Sequence, residues 1–287
     1  MGTSPRRMKE RITITLEQDL LLDVDTYVGK DHVKNRSHAI EVLLKKALGK
    51  RCPRKAVILC GGKGTRLRPI TQEIPKPLIP VHGKALVEHL IDLFKKYGIK
   101  DIILSVGYKK EKIKEYFGNG QKLGVNISYI EESEDAPLGT AGPLKKARDI
   151  FKEAFIVTNG DELKDINLDE MYDIHKSNKA KITIALTTVP DPSNYGVAEL
   201  SGSRILRFIE KPPKAPSNLI NSGLYIVEPD ALDLIPDGYA MLEKDVFPIV
   251  AYNGGLFGYP FTGQWMDTGN LERWERALNE WKGVKDE

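Results

Sequence analysis

The sequence predicts an α/β protein with a doubly wound, mostly parallel sheet, preceded by a small domain of one strand and two helices. From residue 54 onward, short apolar runs alternate with amphipathic segments, which is typical of parallel strands joined by helical crossovers. Residues 11–48 instead follow the order strand, helix, helix, and the segment 51–54 after them is basic and contains a proline. We therefore predict two domains, residues 8–50 and residues 54–287.

The amino-terminal domain begins with a strand, predicted from the alternation of polar and apolar residues in 11–16. Apolar side chains at near-helical spacing predict a first helix over 17–28. A second helix starts near Asn35 or Ser37, both of which are good N-caps. One strand and two helices cannot bury a core of their own, and a lone strand leaves both edges open. We therefore predict a homodimer or a higher oligomer formed through this domain.

This order of elements resembles the ribbon-helix-helix family of small dimeric DNA-binding domains. The resemblance implies that a two-stranded ribbon enters the major groove and that a helix start holds a backbone phosphate. The net charge of +3 lies entirely within residues 1–50, which agrees with an anionic partner for this segment. The side chains that would face DNA are Arg11, Thr13, Thr15 and Arg36. A domain that only dimerises the chain explains the same pattern, so both interpretations stay open.

The second domain opens with an apolar strand over 56–60, which runs directly into a glycine-dense turn. Glycines let backbone N–H groups face a ligand, and such groups attract phosphate. Arg66 adds a fork-shaped cation, and Lys76 follows ten residues later. The turn is not a Walker A loop, because Lys63 is not followed by Ser or Thr, and Leu67 replaces the third glycine of a dinucleotide fingerprint. The composition therefore predicts a triphosphate site.

The rest of the chain continues this alternation of strands and helices. Strands are predicted over 101–106, 125–130 and 155–158, and helices over 86–96, 110–117, 142–151 and 271–281. The last of these strands ends in Asn159-Gly160-Asp161, at the sheet edge where the carboxyl ends of parallel strands meet and ligands bind. Asp161 is either a plain turn residue or a ligand of Mg²⁺, which prefers carboxylate and phosphate oxygens.

The segment 61–78 resembles the signature of the sugar-phosphate nucleotidyltransferases, because it starts with Gly-Gly-Lys-Gly-Thr-Arg-Leu and ends with Pro-Lys-Pro-Leu. Further motifs follow in the order of that family, and the resemblance covers residues 54 to 282. They are Pro-Leu-Gly-Thr-Ala-Gly at 137–142, Asn-Tyr-Gly-Val at 194–197, Glu-Lys-Pro at 210–212, Asn-Ser-Gly at 221–223 and Trp-Met-Asp-Thr-Gly at 265–269. The resemblance implies the Rossmann-like fold of these enzymes.

It also implies Mg²⁺-dependent transfer of a nucleoside monophosphate from an NTP to a sugar-1-phosphate, giving an NDP-sugar and pyrophosphate. The implied catalytic residues are Arg66, Lys76 and Asp161, and the implied Mg²⁺ ligands are Asp161 and Asp267. The implied nucleotide contacts are Gly61, Gly62, Gly64, Thr65, Gly139 and Thr140. The implied sugar-phosphate contacts are Tyr195, Gly196, Glu210, Lys211 and Asn221.

The loop 137–142 is most similar to that of the mannose-1-phosphate guanylyltransferases, so we expect GTP and mannose-1-phosphate as substrates. UTP or dTTP with glucose-1-phosphate is the alternative, because closely similar loops occur in those relatives and few contacts set the choice of base. A DNA-binding regulator whose second domain senses nucleotides or nucleotide sugars is an alternative of another class. The enzyme is favoured because all the implied cations and acids are present: Arg66, Lys76, Asp161, Lys211 and Asp267.

Composition further limits the classes of protein to which the chain could belong. The chain is 41% hydrophobic and 29% charged, as is usual for globular proteins. It has no run of eighteen apolar residues and no charged leader, so we predict no membrane partner. Cys52 and Cys60 make no disulfide framework, and we expect a cytoplasmic location. We expect surface or cap positions, without a catalytic role, for the five histidines, His32, His38, His82, His89 and His175.

Overall fold

The structure, a computed structural model, describes residues 12–29, 33–48 and 52–285. The chain divides into two units, Met1–Lys50 and Arg51–Glu287. The helices are α1 (Gln18–Asp25), α2 (Arg36–Leu48), α3 (Ile70–Glu73), α4 (Leu86–Lys96), α5 (Lys110–Phe117), α6 (Gly142–Lys146), α7 (Leu168–Ser177), α8 (Phe247–Tyr252) and α9 (Leu271–Glu280). The strands are β1 (Lys55–Cys60), β2 (Pro80–Val81), β3 (Lys84–Ala85), β4 (Asp101–Val106), β5 (Asn126–Glu131), β6 (Phe155–Asn159), β7 (Glu162–Lys164), β8 (Ile182–Thr188), β9 (Gly196–Ser201), β10 (Arg204–Glu210), β11 (Leu219–Val227), β12 (Leu256–Pro260) and β13 (Trp265–Asp267).

The smaller unit contains the two predicted helices around a minimal core of buried Val24, Val33 and Ala39. Asn35 caps α2 as predicted, because its side-chain oxygen accepts a hydrogen bond from His38 N at 2.9 Å. Helix α1 ends at Asp25, three residues before the predicted end, and a turn follows it.

The described part of the predicted first strand, residues 12–16, carries no strand in this single chain. A strand needs a neighbour for its backbone hydrogen bonds, and the predicted neighbour belongs to a second chain, so the ribbon stays a prediction. Thr13 and Thr15 are exposed, whereas Arg11 lies outside the described residues. Arg36 forms a bidentate salt bridge with Asp25, in which Nε and Nη2 each lie 2.6 Å from a carboxylate oxygen.

The larger unit is built on a nine-stranded sheet with the order β5-β4-β1-β6-β11-β8-β12-β10-β9. Strands β5, β4, β1 and β6 pair in parallel, as the alternation with helices predicts. Strands β10 and β11 run against the other seven, so four of the eight neighbouring strand pairs are antiparallel. The prediction of a mostly parallel sheet therefore holds from β5 to β6, and the sheet is mixed beyond β6. The physical reason is that β8 to β11 follow one another without a helix, and a parallel crossover needs about a dozen or more residues.

Helices cover both faces of this sheet. Successive strand residues point to opposite faces, so Ile58 packs into one buried cluster and Val57 into another. A third cluster joins Leu67, beside the glycine turn, to Trp281 at the end of α9. The observed α4, β4 and α5 match their predicted bounds at both ends. Helix α6 stops at Lys146, short of the predicted end, and a 3₁₀ turn over Arg148–Ile150 follows it.

Two histidines correct the expectation of surface positions, because His89 and His175 are buried. His175 is satisfied by Thr183 Oγ1 at 2.9 Å and Glu228 Oε1 at 3.3 Å. His89 Nδ1 accepts a hydrogen bond from Trp281 Nε1 at 3.2 Å. Burial lowers the pKa of both rings, which favours their neutral forms. Within the ranges the structure describes, no helix has both the length and the apolar character that crossing a bilayer requires.

Candidate active site

A cleft of about 620 Å³ opens at the carboxyl ends of β1 and β6. It is lined by every site residue predicted in the second domain, although their motifs are spread along the chain. These residues are Gly61, Gly62, Gly64, Thr65, Arg66, Lys76, Gly139, Thr140, Asp161, Tyr195, Gly196, Glu210, Lys211, Asn221 and Asp267. The fold therefore gathers the separate motifs around one cleft.

The glycine turn forms one wall of this cleft, and two of its glycines have no room for a side chain. Gly64 has a φ of 60°, and a Cβ there would lie 2.9 Å from Thr71 Cγ2 and 3.2 Å from Lys76 Cβ. A Cβ at Gly61 would lie 2.8 Å from Glu132 Oε1. The backbone of the turn therefore approaches its neighbours as closely as only glycine permits.

Lys76 and Asp161 form the central ion pair of the site. Lys76 Nζ donates to Asp161 Oδ2 at 2.6 Å, and the lysine is 7% exposed. Burial alone would raise the pKa of Asp161, but the positive charges of Lys76, Lys164 and Arg66 together lower it below its ordinary value. Asp161 is therefore held as a carboxylate among cations.

The two acids predicted to bind Mg²⁺ are neighbours in space. Strand β13 pairs with β7 and places Asp267 opposite Glu162, which directly follows Asp161. Thr268 strengthens this contact, because its backbone N and its Oγ1 donate to Asp161 O at 3.2 Å and 2.8 Å. A small two-stranded sheet thus brings both carboxylates to one edge of the cleft.

These two acids suit a hard divalent cation. Asp267 Oδ2 accepts hydrogen bonds from Tyr195 OH at 3.2 Å and from Arg273 Nη1. Among the described residues, no set of three or more His, Cys, Asp or Glu side chains is arranged to hold a metal ion. Mg²⁺ usually binds one or two carboxylates and completes its octahedron with phosphate oxygens and water. Asp161 and Asp267 therefore fit Mg²⁺ that arrives with a phosphorylated substrate.

Sequence reasoning missed a buried lysine, Lys164, near Asp161 and Asp267. Lys164 is 1% exposed. Its Nζ donates to Thr158 Oγ1 at 3.0 Å, to Glu162 Oε2 at 3.2 Å and to Gly223 O at 3.3 Å. These three bonds satisfy the ammonium group and tie β7 to β6 and β11.

Glu162 is the second residue missed. Its Oε2 also accepts a hydrogen bond from Trp265 Nε1 at 3.1 Å. Burial, with smaller contributions from the charges of Asp161 and Asp267, raises the pKa of Glu162 to about 7 despite the opposing effect of Lys164. The sequence did contain one signal for the Glu162–Lys164 pair, namely their spacing, since residues two apart in a strand share a face.

A further wall carries the residues predicted to bind the sugar phosphate. A Cβ at Gly196 would lie 2.4 Å from Phe208 Cζ and 2.9 Å from Glu210 Oε2, so the glycine lets this wall close tightly. Lys211 has a φ of 46°. Its Nζ lies 3.5 Å from Glu210 Oε1, and its side chain is 63% exposed. Asn221 is 8% exposed and reaches the cleft from β11.

The loop that contains Gly139 and Thr140 is fastened to the segment before α8. Gly139 has a φ of 77°, and a Cβ there would lie 2.3 Å from Ala240 O. Thr140 Oγ1 donates to Glu243 Oε2 at 2.7 Å and accepts from Leu242 N at 2.8 Å. Burial raises the pKa of Glu243, a residue for which the sequence indicated no chemistry. The loop is therefore rigidly placed by contacts far along the chain.

Glu132 is a third acid that sequence reasoning missed. It is 7% exposed and lines the cleft between the glycine turn and this loop. Its Oε1 accepts from Ser105 Oγ at 3.1 Å, and its Oε2 accepts from Leu138 N at 2.7 Å. Each carboxylate oxygen can accept a second hydrogen bond, so the group can still bind a donor from a ligand.

Comparisons with known proteins agree with this geometry. The family model described as nucleotidyl transferase matches residues 55–282. Mannose-1-phosphate guanyltransferase beta-B of Xenopus laevis is 43% identical over 221 residues, which cover 75% of this chain and 61% of that protein. Mannose-1-phosphate guanyltransferase of Saccharomyces cerevisiae is 40% identical over 222 residues, with the same two coverages. The chain thus spans about three fifths of the length of these relatives.

Solved structures show the same fold. HddC from Yersinia pseudotuberculosis, complexed with GMP-PN, is 28% identical with a TM-score of 0.67, and the match covers 80% of this chain and 100% of that one. UDP-glucose pyrophosphorylase, complexed with UDP-glucose, is 24% identical with a TM-score of 0.69, covering 79% and 98%. The family resemblance predicted from the motifs is confirmed, and the chain belongs to the nucleotidyl transferase family.

Proposed function

We propose that this protein transfers guanosine monophosphate from GTP to mannose-1-phosphate and releases GDP-mannose and pyrophosphate. Support comes from the identity of about 40% to mannose-1-phosphate guanyltransferases and from the cleft that gathers the family motifs. The substrates and the two free, buried cysteines suit a reducing cytoplasm.

The reaction joins two polyanions, so the site must neutralise charge and align the reactants. A phosphate oxygen of the sugar-1-phosphate attacks the α-phosphorus of GTP, and the bond to pyrophosphate breaks. The Gly61–Arg66 wall would hold the β- and γ-phosphates of the leaving group, Lys76 would contact the α-phosphate, and Lys211 would seat the attacking phosphate. Mg²⁺ on Asp161 and Asp267 would supply further positive charge. Positioning and electrostatics suffice, so no protein nucleophile is required.

The buried carboxylate of Glu132 is the observation that carries the choice of base. Guanine offers two adjacent donors on its pairing edge, N1–H and the N2 amino group, which match the two oxygens of a carboxylate. Uracil and thymine offer one N–H donor between two carbonyl oxygens, which a carboxylate would repel. A Glu132 that reads the base therefore favours GTP over UTP and dTTP.

The test measures pyrophosphate release from each NTP with a panel of sugar-1-phosphates. We expect the highest kcat/KM with GTP and mannose-1-phosphate. Glu132→Gln should lower kcat/KM for GTP by about 100-fold, because one acceptor becomes a donor, while turnover with UTP should not fall. Asp135→Asn, at an exposed position nearby, is the control and should change neither. Faster turnover with UTP or dTTP, or none with any sugar phosphate, would refute the proposal.

We further propose that residues 8–50 form the dimer module of a chain whose enzyme domain spans 54–287. Ile12 and Ile14 are 70% and 48% exposed in the single chain, which supports a partner for this segment. In such a ribbon Arg11, Thr13 and Thr15 would be available to contact DNA, and salt-dependent retention of duplex DNA by the full chain would test this role. Retention that does not change with salt would count against it.

A further inference from the structure

Arg273 reaches the active site from an element that none of the predicted roles uses. It is the third residue of α9, and its backbone N donates to the N-cap oxygen of Asn270 at 2.9 Å. Its Nη1 donates to Asp267 Oδ2, and its guanidinium centre lies 5.3 Å from the ring centroid of Tyr195. The arginine therefore bridges a predicted Mg²⁺ ligand and a predicted sugar-phosphate contact.

Each of the two acids proposed to bind Mg²⁺ is paired with a cation of the cleft. Lys76 holds Asp161, and Arg273 holds Asp267. A divalent ion and a guanidinium compete for the same carboxylate oxygen, because both are attracted by the same negative charge. A guanidinium that gives up this carboxylate needs another anion, and a phosphate matches its fork of donors.

We propose that Arg273 binds the phosphate of the sugar-1-phosphate when a divalent ion takes its place on Asp267. The inference rests on the proposed function, because it assumes that substrate class. Lys211, the cation predicted for this phosphate, has a side chain that is 63% exposed and therefore well hydrated. The side chain of Arg273 is 23% exposed, so its interaction with a phosphate is less screened by water. Arg273 thus complements Lys211 as a positioning cation.

The kinetic test compares Arg273→Gln and Arg273→Lys with Arg276→Gln, an exposed arginine of the same helix, in the full chain. Arg273→Gln should raise the KM for mannose-1-phosphate by about 10- to 100-fold, because a charge-assisted contact is lost. The KM for GTP should stay within about twofold. Arg273→Lys keeps the charge without the fork and should lie between wild type and Arg273→Gln. Arg276→Gln should match wild type.

A binding test examines, without catalytic turnover, the same replacement of Arg273 by a divalent ion on Asp267. Calorimetric titration with Mn²⁺ alone should show tighter binding to Arg273→Gln by about fivefold, since Asp267 has lost its competing cation. Titration with mannose-1-phosphate in the presence of saturating Mn²⁺ should show weaker binding to the same variant. If Arg273 only docked α9, the variant would bind both Mn²⁺ and mannose-1-phosphate more weakly. Tighter binding of Mn²⁺ together with weaker binding of mannose-1-phosphate therefore identifies the replacement of Arg273 on Asp267.

The inference is overturned if the affinity for mannose-1-phosphate is unchanged in Arg273→Gln, or if Mn²⁺ also binds more weakly. A rise of equal size in both KM values would overturn it as well. Wild-type protein that binds mannose-1-phosphate but shows no turnover would refute the proposed function alone, and the calorimetric comparison would still decide the role of Arg273.

Discussion

Gly139 places the loop 137–142 at the wall of the cleft through a close backbone contact. Its φ of 77° suits glycine, and the carbonyl oxygen of Ala240 occupies the space that a Cβ would need, at 2.3 Å. The sequence motif marked this residue as a nucleotide contact. The structure adds that any side chain here would displace the backbone of a second segment.

We predict that Gly139→Ala lowers the free energy of unfolding by about 3 kcal/mol, because left-handed backbone strain of about 1 kcal/mol adds to overpacking of about 2 kcal/mol. Gly202→Ala is the matched control, since Gly202 has a φ of 60° with nothing within 4 Å of the added Cβ. Urea denaturation of both variants measures the difference. Equal losses would mean that Ala240 moves aside at no cost.

Glu162 should make stability depend on pH. Its pKa is raised from the ordinary 4.5 to about 7, so the folded state holds a proton that the unfolded state has lost in that range. The stabilisation of the folded state by the proton on Glu162 is greatest below pH 4.5 and is lost as the pH rises through 7. We predict that the free energy of unfolding of wild type, relative to Glu162→Gln, falls by up to about 3 kcal/mol across this window.

Urea denaturation at several pH values in EDTA measures this difference, and wild type minus variant cancels the titration of groups that do not interact with Glu162. Glu280→Gln, at an exposed position, is the control. A difference between wild type and Glu162→Gln that stays constant with pH would contradict the raised pKa.

At the scale of elements, α9 delivers Arg273 to the site only if its first turn is well formed. Asn270 caps that turn by accepting the hydrogen bond from Arg273 N. We predict that Asn270→Ala lowers the free energy of unfolding by about 1 kcal/mol, as is typical for a lost N-cap. Thermal and urea denaturation measure the loss.

Asn270→Ser should restore most of this stability, because serine is also a good cap. Asn279→Ala serves as the control within the same helix. Asn279 is exposed and lies about two turns after the capped first turn. A loss in Asn279→Ala as large as that in Asn270→Ala would show that the cap has no special effect.

At the scale of the whole molecule, we propose that the small unit governs oligomerisation. If residues 11–16 pair with a second copy, Ile12 and Ile14 share the face that meets the helices, and Thr13 and Thr15 share the other. We predict that Ile12→Glu with Ile14→Glu turns a dimer into a monomer, as measured by sedimentation of the full chain. Thr13→Ser with Thr15→Ser should leave the mass unchanged. A wild-type monomer at all concentrations would contradict the ribbon.

Sequence reasoning reached the parallel half of the fold and the location of most predicted site residues. The bounds of α4, β4 and α5 followed from apolar spacing, and the cleft is lined by the residues that the family motifs marked. It did not reach Glu132, Lys164 or Arg273. The spacing of Glu162 and Lys164 places both on one face of a strand but does not show that this face is buried. No local pattern distinguishes Glu132 or Arg273 from an ordinary charged residue, although Asp267 is only six residues from Arg273.

The amino-acid sequence by itself determined the family, the alternation of strands and helices and the turn of glycines and cations, because these depend on local spacing and on motif order. Only the tertiary structure decided that β11 reverses the sheet, that Lys164 is buried against Glu162, and that Asp267 is paired with Arg273. The reversal at β11 depends on which distant segments become neighbours. The two side-chain pairs join residues close in sequence, and they depend on how the local chain folds and on how far the surrounding segments exclude water, which are properties of the folded chain alone.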